Sequence, residues 1–384
     1  MQTVFKRILH YVILAALLIG TPLVCCLLGG YDEILEGVKN FPPRTEDFGF
    51  YPEKLWNNRC PFNWWAFIGL VLFTAMCLKS FVRRCLKAAF AANRSPRTTN
   101  HAFPWWGWLG VAVLAAGWIL SWNWHFHWFP PLSKRLQVQL SYAPLWAGFI
   151  LIMNGLCVKR SGHSPMTDHP WAYTATFPAS SLFWWFFEYL NRYVWNWYYQ
   201  GVSQMSAAEY TFYATVCFSS VLPAVTATAA LLHTFAPFRD ARFADMRWKP
   251  KVRTAGGAAF FASVSALGLC GIVFFPQYAF PLLWLSPLMA FLLVQILLGE
   301  PCVLDRLHDG NWAFVFRFAA AALVCGLAWE TWNYYAVAKW VYAVPWVHRF
   351  QIWEMPVVGF AGYLPFGVEC AAVTAWIEPK LVDA

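Results

Sequence analysis

Charge is what this sequence has least of. Only 12% of its 384 residues are Asp, Glu, Lys or Arg, about half the roughly 25% usual in a soluble domain. Apolar residues make up 59%, and there are 25 Trp and 34 Phe. Such a chain has too little polar surface to face water on every side. A soluble enzyme, a nucleic-acid binder and a disordered chain are excluded. An all-α, polytopic integral membrane protein is expected.

Several signatures of chemistry are missing as well. There is no glycine-rich phosphate loop, no nucleophile elbow, no HExxH and no histidine-box set. The eleven cysteines contain no CxxC pair and sit mostly inside apolar stretches; only Cys60 falls in a loop placed outside. Neither a disulfide framework nor a zinc centre built on cysteine spacing is expected, and no cofactor or metal is assigned. His125 and His127 flank Phe126 at an outer edge. In an extended segment they share a face and could hold a metal, but an interfacial belt of Trp and His is the better reading.

The net charge of +9 comes from two short clusters: Lys79, Arg83, Arg84, Lys87, Arg94 and Arg97, then Arg239, Arg242, Arg247, Lys249, Lys251 and Arg253. Both lie between apolar segments. This is the positive-inside pattern of cytoplasmic loops, not a nucleic-acid patch.

Segments long and apolar enough to span fall at about 8–30, 64–82, 103–121, 141–158, 174–199, 210–235, 256–276, 280–298, 313–334 and 354–377, ten in all. The first follows Lys6 and Arg7 and is too long for a signal-peptide core, so it is read as retained. Loop charges place both termini on the cytoplasmic side, in a cell membrane, with a bacterial inner membrane as the default. The outer loop 31–60 carries Asp32, Glu33, Glu36, Glu46, Asp47 and Glu53.

Residues 188–231 align with 330–373 at a constant offset of 142. Ten positions are identical: Glu188/Glu330, Asn191/Asn333, Tyr193/Tyr335, Val202/Val344, Val216/Val358, Phe218/Phe360, Leu222/Leu364, Pro223/Pro365, Ala229/Ala371 and Ala230/Ala372. This pattern reads as an old duplication. It divides the chain into an N-terminal two-helix segment (1–102) and two parallel four-helix repeats, 103–238 and 239–384. Pro223 and Pro365 fall mid-span, where each is expected to bend its helix.

Within 180–200, Glu188, Asn191, Arg192 and Asn196 are spaced to share one face of a helix. A lone charge at mid-bilayer costs about 2.5–3.5 kcal/mol, so a polar stripe here must face protein or water. The second copy keeps Glu330 and Asn333 but has Tyr334 in place of Arg192. If Arg317 reaches the inner interface, Glu330 lies roughly 20 Å along the helix, in the outer half of the bilayer. Glu354 opens the last span and can approach Glu330 and Glu188; Glu369 is deeper, in the inner half. Carboxylates gathered at one site would not all ionise, and a protonated one suits general acid work. The candidate catalytic set is therefore Glu188, Glu330, Glu354, Asn191, Asn333 and Arg192.

Trp329-Glu330, Trp340-Val341-Tyr342 and Glu354-Met355-Pro356 together resemble the lycopene-cyclase-type membrane proteins. The resemblance covers residues 329–356. This chain has one Glu before Pro356 where that family carries a paired Glu-Glu after its Pro. The resemblance implies a duplicated multi-helix unit acting on isoprenoids. Two readings follow. One is a membrane enzyme acting on a lipid or isoprenoid, its carboxylates moving protons and its aromatic faces stabilising a cation. The other is a proton-coupled transporter of small molecules or lipids, built on two parallel repeats. Membrane lipids are the expected partners. A scaffold subunit of a larger complex also fits the composition.

Overall fold

The computed structural model describes residues 2–31, 59–92, 101–130, 132–203, 205–235, 238 and 249–383. The acids between 32 and 53, and Arg94, Arg97, Arg239, Arg242 and Arg247, lie outside the described residues.

The chain is a multi-pass helical membrane protein. Its main helices are α1 (Gln2–Gly29), α2 (Trp64–Ala92), α3 (Trp105–Phe126), α4 (Lys134–Ser161), α5 (Pro170–Val194), α6 (Ala207–Phe218), α7 (Val221–His233), α8 (Ala255–Phe274), α9 (Ser286–Leu298), α10 (Ala313–Tyr334) and α11 (Tyr363–Ile377). Among the described residues four short strands punctuate them: β1 (Trp197–Gln200), β2 (Lys339–Tyr342), β3 (Gln351–Ile352) and β4 (Met355–Pro356). Among the described residues, seven helical segments are long and apolar enough to cross a membrane, or eight if the bent pair Pro276–Leu283 and Ser286–Leu298 forms one span. The α5 helix, expected at 174–199, is not among them: even its uncharged stretch 170–187 is rich in Trp, Pro, Ser and Thr, and Glu188, Asn191 and Arg192 follow. The apolar part of α2 is Trp64–Lys79.

Local signals set the helix ends. Ser133 caps α4 by accepting from the Leu136 N–H, and Gly162 ends it at φ +81°. Ser206 and Glu209 form a capping box on α6, and Thr254 caps α8. The end of α5 carries no glycine: Trp195 adopts φ +52° and its N–H donates to the Asn191 carbonyl at 2.7 Å.

Two compact units can be described separately. The smaller contains α1, α8, α9 and Phe187–Asn196. The Tyr11 hydroxyl donates to Glu300 at 2.5 Å, and Tyr189 donates to the Ile19 carbonyl at 2.5 Å. The Phe187 ring stacks on Trp284 at 4.9 Å. Cys25 and Cys270 bring their sulfurs to 3.6 Å as free thiols.

The larger unit holds α2 to α4, α5 as far as Phe186, β1, α6, α7, α10, α11 and the remaining strands. Here α3 and α4 touch backbone to backbone: a Cβ on Gly148 would sit 2.7 Å from the Gly110 carbonyl oxygen. Small residues at such crossings are what helices use when lipid supplies no hydrophobic drive between them. The α10 and α11 helices meet in the same way, since a Cβ on Gly367 would lie 2.2 Å from the Phe318 carbonyl oxygen.

The two prolines act differently from a mid-helix kink. The chain breaks at Ser219–Ser220, and α7 restarts at Val221 with Pro223 in its first turn. The 3₁₀ segment Val357–Gly362 breaks the second span, and α11 restarts at Tyr363 with Pro365 in its first turn. A missing N–H has no cost there, because the first N–H groups of a helix have no partner within it. Ser180 spans the first break: its hydroxyl donates to the Phe218 carbonyl at 2.5 Å and accepts from the Leu222 N–H at 3.1 Å.

Candidate functional site

Glu330 stands in the last turns of α10 and is fully buried. Its Oε1 accepts three hydrogen bonds: from the Tyr342 hydroxyl at 2.6 Å, the Tyr363 hydroxyl at 2.9 Å and the Trp340 indole at 3.2 Å. Its Oε2 is buried and receives none. A buried polar atom without a partner is rare in folded proteins, and each case calls for a reason. The surroundings are aromatic. The Trp329 indole donates to the Tyr363 hydroxyl at 2.5 Å, its ring lies 5.2 Å from the Tyr363 ring, and Trp146 lies 5.3 Å from Trp329.

Asn333, one turn further along α10, holds this arrangement in place. Its Oδ1 accepts the Trp340 N–H at 2.9 Å and its Nδ2 donates to the Trp340 carbonyl at 2.8 Å. Only a planar amide offers a donor and an acceptor together in this way. The Tyr142 hydroxyl also donates to Asn333 Oδ1, at 3.1 Å. Asn333 thus fixes the backbone of the residue whose indole reaches Glu330.

Glu188, Asn191 and Arg192 are buried in the smaller unit. The Arg192 guanidinium lies 5.3 Å from the Trp195 ring centroid. Asn196 does not share their helical face, since α5 ends at Val194. Its backbone N–H instead donates to Asn191 Oδ1 at 2.8 Å. Asn191 and Asn333 therefore do similar work, each accepting a backbone N–H just beyond its helix. At the offset of 142, the positions matching Trp340, Tyr342 and Tyr363 are Tyr198, Gln200 and Val221. The donor set around Glu330 has no like-for-like equivalent at those positions.

Glu354 is placed by the turn between β3 and β4. It accepts from Lys339 Nζ at 2.6 Å. Lys339 starts β2, which pairs antiparallel with β1: Trp197 faces Tyr342, Tyr198 faces Val341, Tyr199 faces Trp340 and Gln200 faces Lys339. Side chains alternate across a ribbon. Tyr198, Gln200, Lys339 and Val341 share one face, and Trp340 and Tyr342 the other, toward Glu330. The first face borders a cavity of about 330 Å³, completed by Tyr342, Ala343, His348, Gln351 and Glu354. Trp346, Phe350 and Trp353, beside that cavity, all have positive φ. Bulky residues in that region cost about 1–2 kcal/mol each, and such strain gathers at functional sites.

The His125 ring stacks on Tyr335 at 4.2 Å. Among the described residues no group of three or more His, Cys, Asp or Glu side chains is placed to hold a metal. Glu369 is buried in α11, and its Oε2 has no hydrogen-bond partner.

The chain matches no protein-family model, no curated protein and no solved structure.

Tyr363, Lys339 and Gln200 were not singled out from the sequence, and Trp340 and Tyr342 entered only through the resemblance. They reach the site from a strand and from a restarted helix. Helical spacing around Glu330 carries no trace of such partners. The alternation Lys339-Trp340-Val341-Tyr342, set behind a helix end, was the available signal.

Proposed function

We propose that this protein is an integral-membrane enzyme acting on a lipid or isoprenoid substrate by carboxylate acid/base chemistry, in the outer half of the bilayer. The carrying observation is Glu330: a buried carboxyl group with three donors on one oxygen and none on the other, walled by aromatic rings. The crowded oxygen fixes the orientation of the group. The bare one is free to give or take a proton. Trp329, Trp340, Tyr342 and Tyr363 supply faces that attract a cation formed on an apolar substrate. In this reading Asn333 positions Trp340. Glu354, paired with Lys339, tunes the field at Glu330. Glu188, Asn191 and Arg192 form the first copy's diverged counterpart.

The experiment is mass spectrometry of total lipid extracts from cells with the wild type, with Glu330→Gln and without the protein. A lipid or isoprenoid species altered by the wild type alone, at equal levels of folded protein, supports the reading. Identical profiles in all three would overturn it.

A duplicated architecture of ten spans in two parallel four-helix repeats after two N-terminal helices belongs to the same proposal. So do a cell-membrane location with cytoplasmic termini and a bacterial inner-membrane source. The strand pairing supports the duplication. β1 and β2 stand 142 residues apart, and their register pairs the start of each with the end of the other, as a local two-fold axis requires. The restarts of α7 at Val221 and α11 at Tyr363 keep the same offset.

A second reading rests on Glu369. A buried carboxyl with one unpartnered oxygen, on a helix that begins after a break, suits a proton-coupled transporter. Proteoliposome uptake that responds to a proton gradient and is lost in Glu369→Gln would favour it.

A further inference from the structure

The cavity beside the β1/β2 ribbon shares Tyr342 with the Glu330 site, but its polar lining groups Gln200, His348 and Gln351 take no part in the chemistry proposed above. Its charges are already matched: Lys339 is taken by Glu354 at 2.6 Å. Arg349 sits over the Phe62 ring at 5.0 Å and does not line the cavity. Among the described residues that line it, no cation is left over to recognise an anion such as a phosphate. What remains is a set of groups that both give and accept hydrogen bonds: the Gln351 amide, and the Gln200 amide, whose Nε2 donates to the Tyr198 hydroxyl at 3.2 Å and whose oxygen is an acceptor. His348 adds an acceptor. Its ring bonds the Val344 backbone through one nitrogen, while Nδ1 is buried with no partner. Donors and acceptors mixed in this way, at net zero charge, complement hydroxyl groups, which are themselves both.

The rim is of another kind. Phe350 and Ile352, which flank Gln351, are exposed, as is Val357 beyond Glu354. A polar, neutral cavity with an apolar rim fits an amphiphile whose head group is uncharged. The geometry points to a binding site here for the hydroxyl-bearing end of a lipid, an alcohol or a sugar head group, with its hydrocarbon tail lying along Phe350 and Ile352. Tyr198 offers a ring face for the sugar, and Gln200, Gln351 and His348 take its hydroxyls.

The test uses the full-length protein in phosphatidylcholine nanodiscs. The radiolabelled probes are farnesyl β-glucoside, farnesol and farnesyl phosphate, with binding to empty discs subtracted. The glucoside is expected to bind saturably, farnesol more weakly, and the phosphate not above empty discs. Gln351→Leu and His348→Phe should each weaken glucoside binding tenfold or more, while each variant still elutes as a folded, monodisperse species. Tightest binding of the phosphate, abolished by Lys339→Met, would overturn the inference in favour of an anion site. Equal binding of all three probes, or of the glucoside to the wild type and both variants, would reduce it to partition into the bilayer. Binding is read without turnover, so the result stands apart from the fate of the reaction proposed at Glu330.

Discussion

The Tyr342 hydroxyl and Glu330 Oε1 are joined at 2.6 Å, across twelve residues of chain that leave a helix and enter a strand. The strand gains a fixed end and the carboxyl group a fixed orientation from the same bond. Hydrogen bonds to a charged group contribute about 1.5–3 kcal/mol where neutral ones contribute about 1. Tyr342→Phe and Tyr363→Phe should each destabilise the protein by about 1–3 kcal/mol. The double variant should lose less than the sum, because both donors share one acceptor. Thermal unfolding in detergent, assembled as a double-mutant cycle, measures this.

Glu330→Gln keeps the shape of the side chain but cannot carry the proton. Turnover should fall by at least about 100-fold, the lower end of what a positioned acid or base contributes. Elution as a folded, monodisperse species should be unchanged. Product formation by the variant at near wild-type rate would remove Glu330 from the chemistry.

Asn333→Ala removes both bonds to Trp340 and leaves its N–H and carbonyl to find other partners. A loss of about 2 kcal/mol is expected from two such bonds. Asn333→Asp, which keeps the acceptor and loses the donor, should fall between. Unfolding curves of the three proteins give the order directly.

Gly367→Ala places a methyl group 2.2 Å from the Phe318 carbonyl oxygen and 2.8 Å from the Ala319 nitrogen. Both are backbone atoms of α10, so nothing flexible can yield. The α10–α11 pair must separate, at a cost in the upper part of the usual 1–3 kcal/mol for overpacking. Gly362→Ala, whose added Cβ meets nothing within 4 Å, is the matched control and should change unfolding little.

His348 titrates below the usual histidine range. Burial disfavours its charged form and the neighbouring Arg349 adds to this, while the bond to the Val344 backbone opposes both. A group depressed in the fold contributes stability above its unfolded pKa, about 6.5 for histidine. That stability is lost as pH falls through the folded value. The wild type should therefore lose stability below about pH 6.5, and His348→Phe should show a flatter profile over the same window. Parallel profiles would mean that His348 does not titrate differently on folding.

Much of the helical layout was legible from apolar length alone. The segment expected at 313–334 is the helix Ala313–Tyr334, because it is long, apolar and free of breakers. The segment expected at 174–199 was read too far. The sequence Val194-Trp195-Asn196 contains no glycine or proline, yet the helix stops there with Trp195 at φ +52°. Such a stop is enforced by tertiary contacts, and no local rule for helix ends announces it. Glu330 and Asn333 stood out as polar residues at helical spacing in an apolar run. The use of Asn333 did not, since its partner Trp340 lies beyond the helix. The prolines misled in the opposite sense. Pro223 looked like a kink, and the structure places it at a restart, where the preceding Ser219-Ser220 was the clue.

The β1/β2 ribbon has a consequence for how the protein is made. The backbone groups of β1 that face its partner are complemented by a strand begun at residue 339, so they must wait while the intervening helices are synthesised and inserted. Until then β1 is an unpaired edge, open to pairing with any strand that comes near, including the same strand of another nascent chain. Closing the ribbon is thus among the last acts of biogenesis, and it brings Trp340 and Tyr342 to the carboxyl group they serve. A chain interrupted before residue 339 would hold most of its helices and still lack its site.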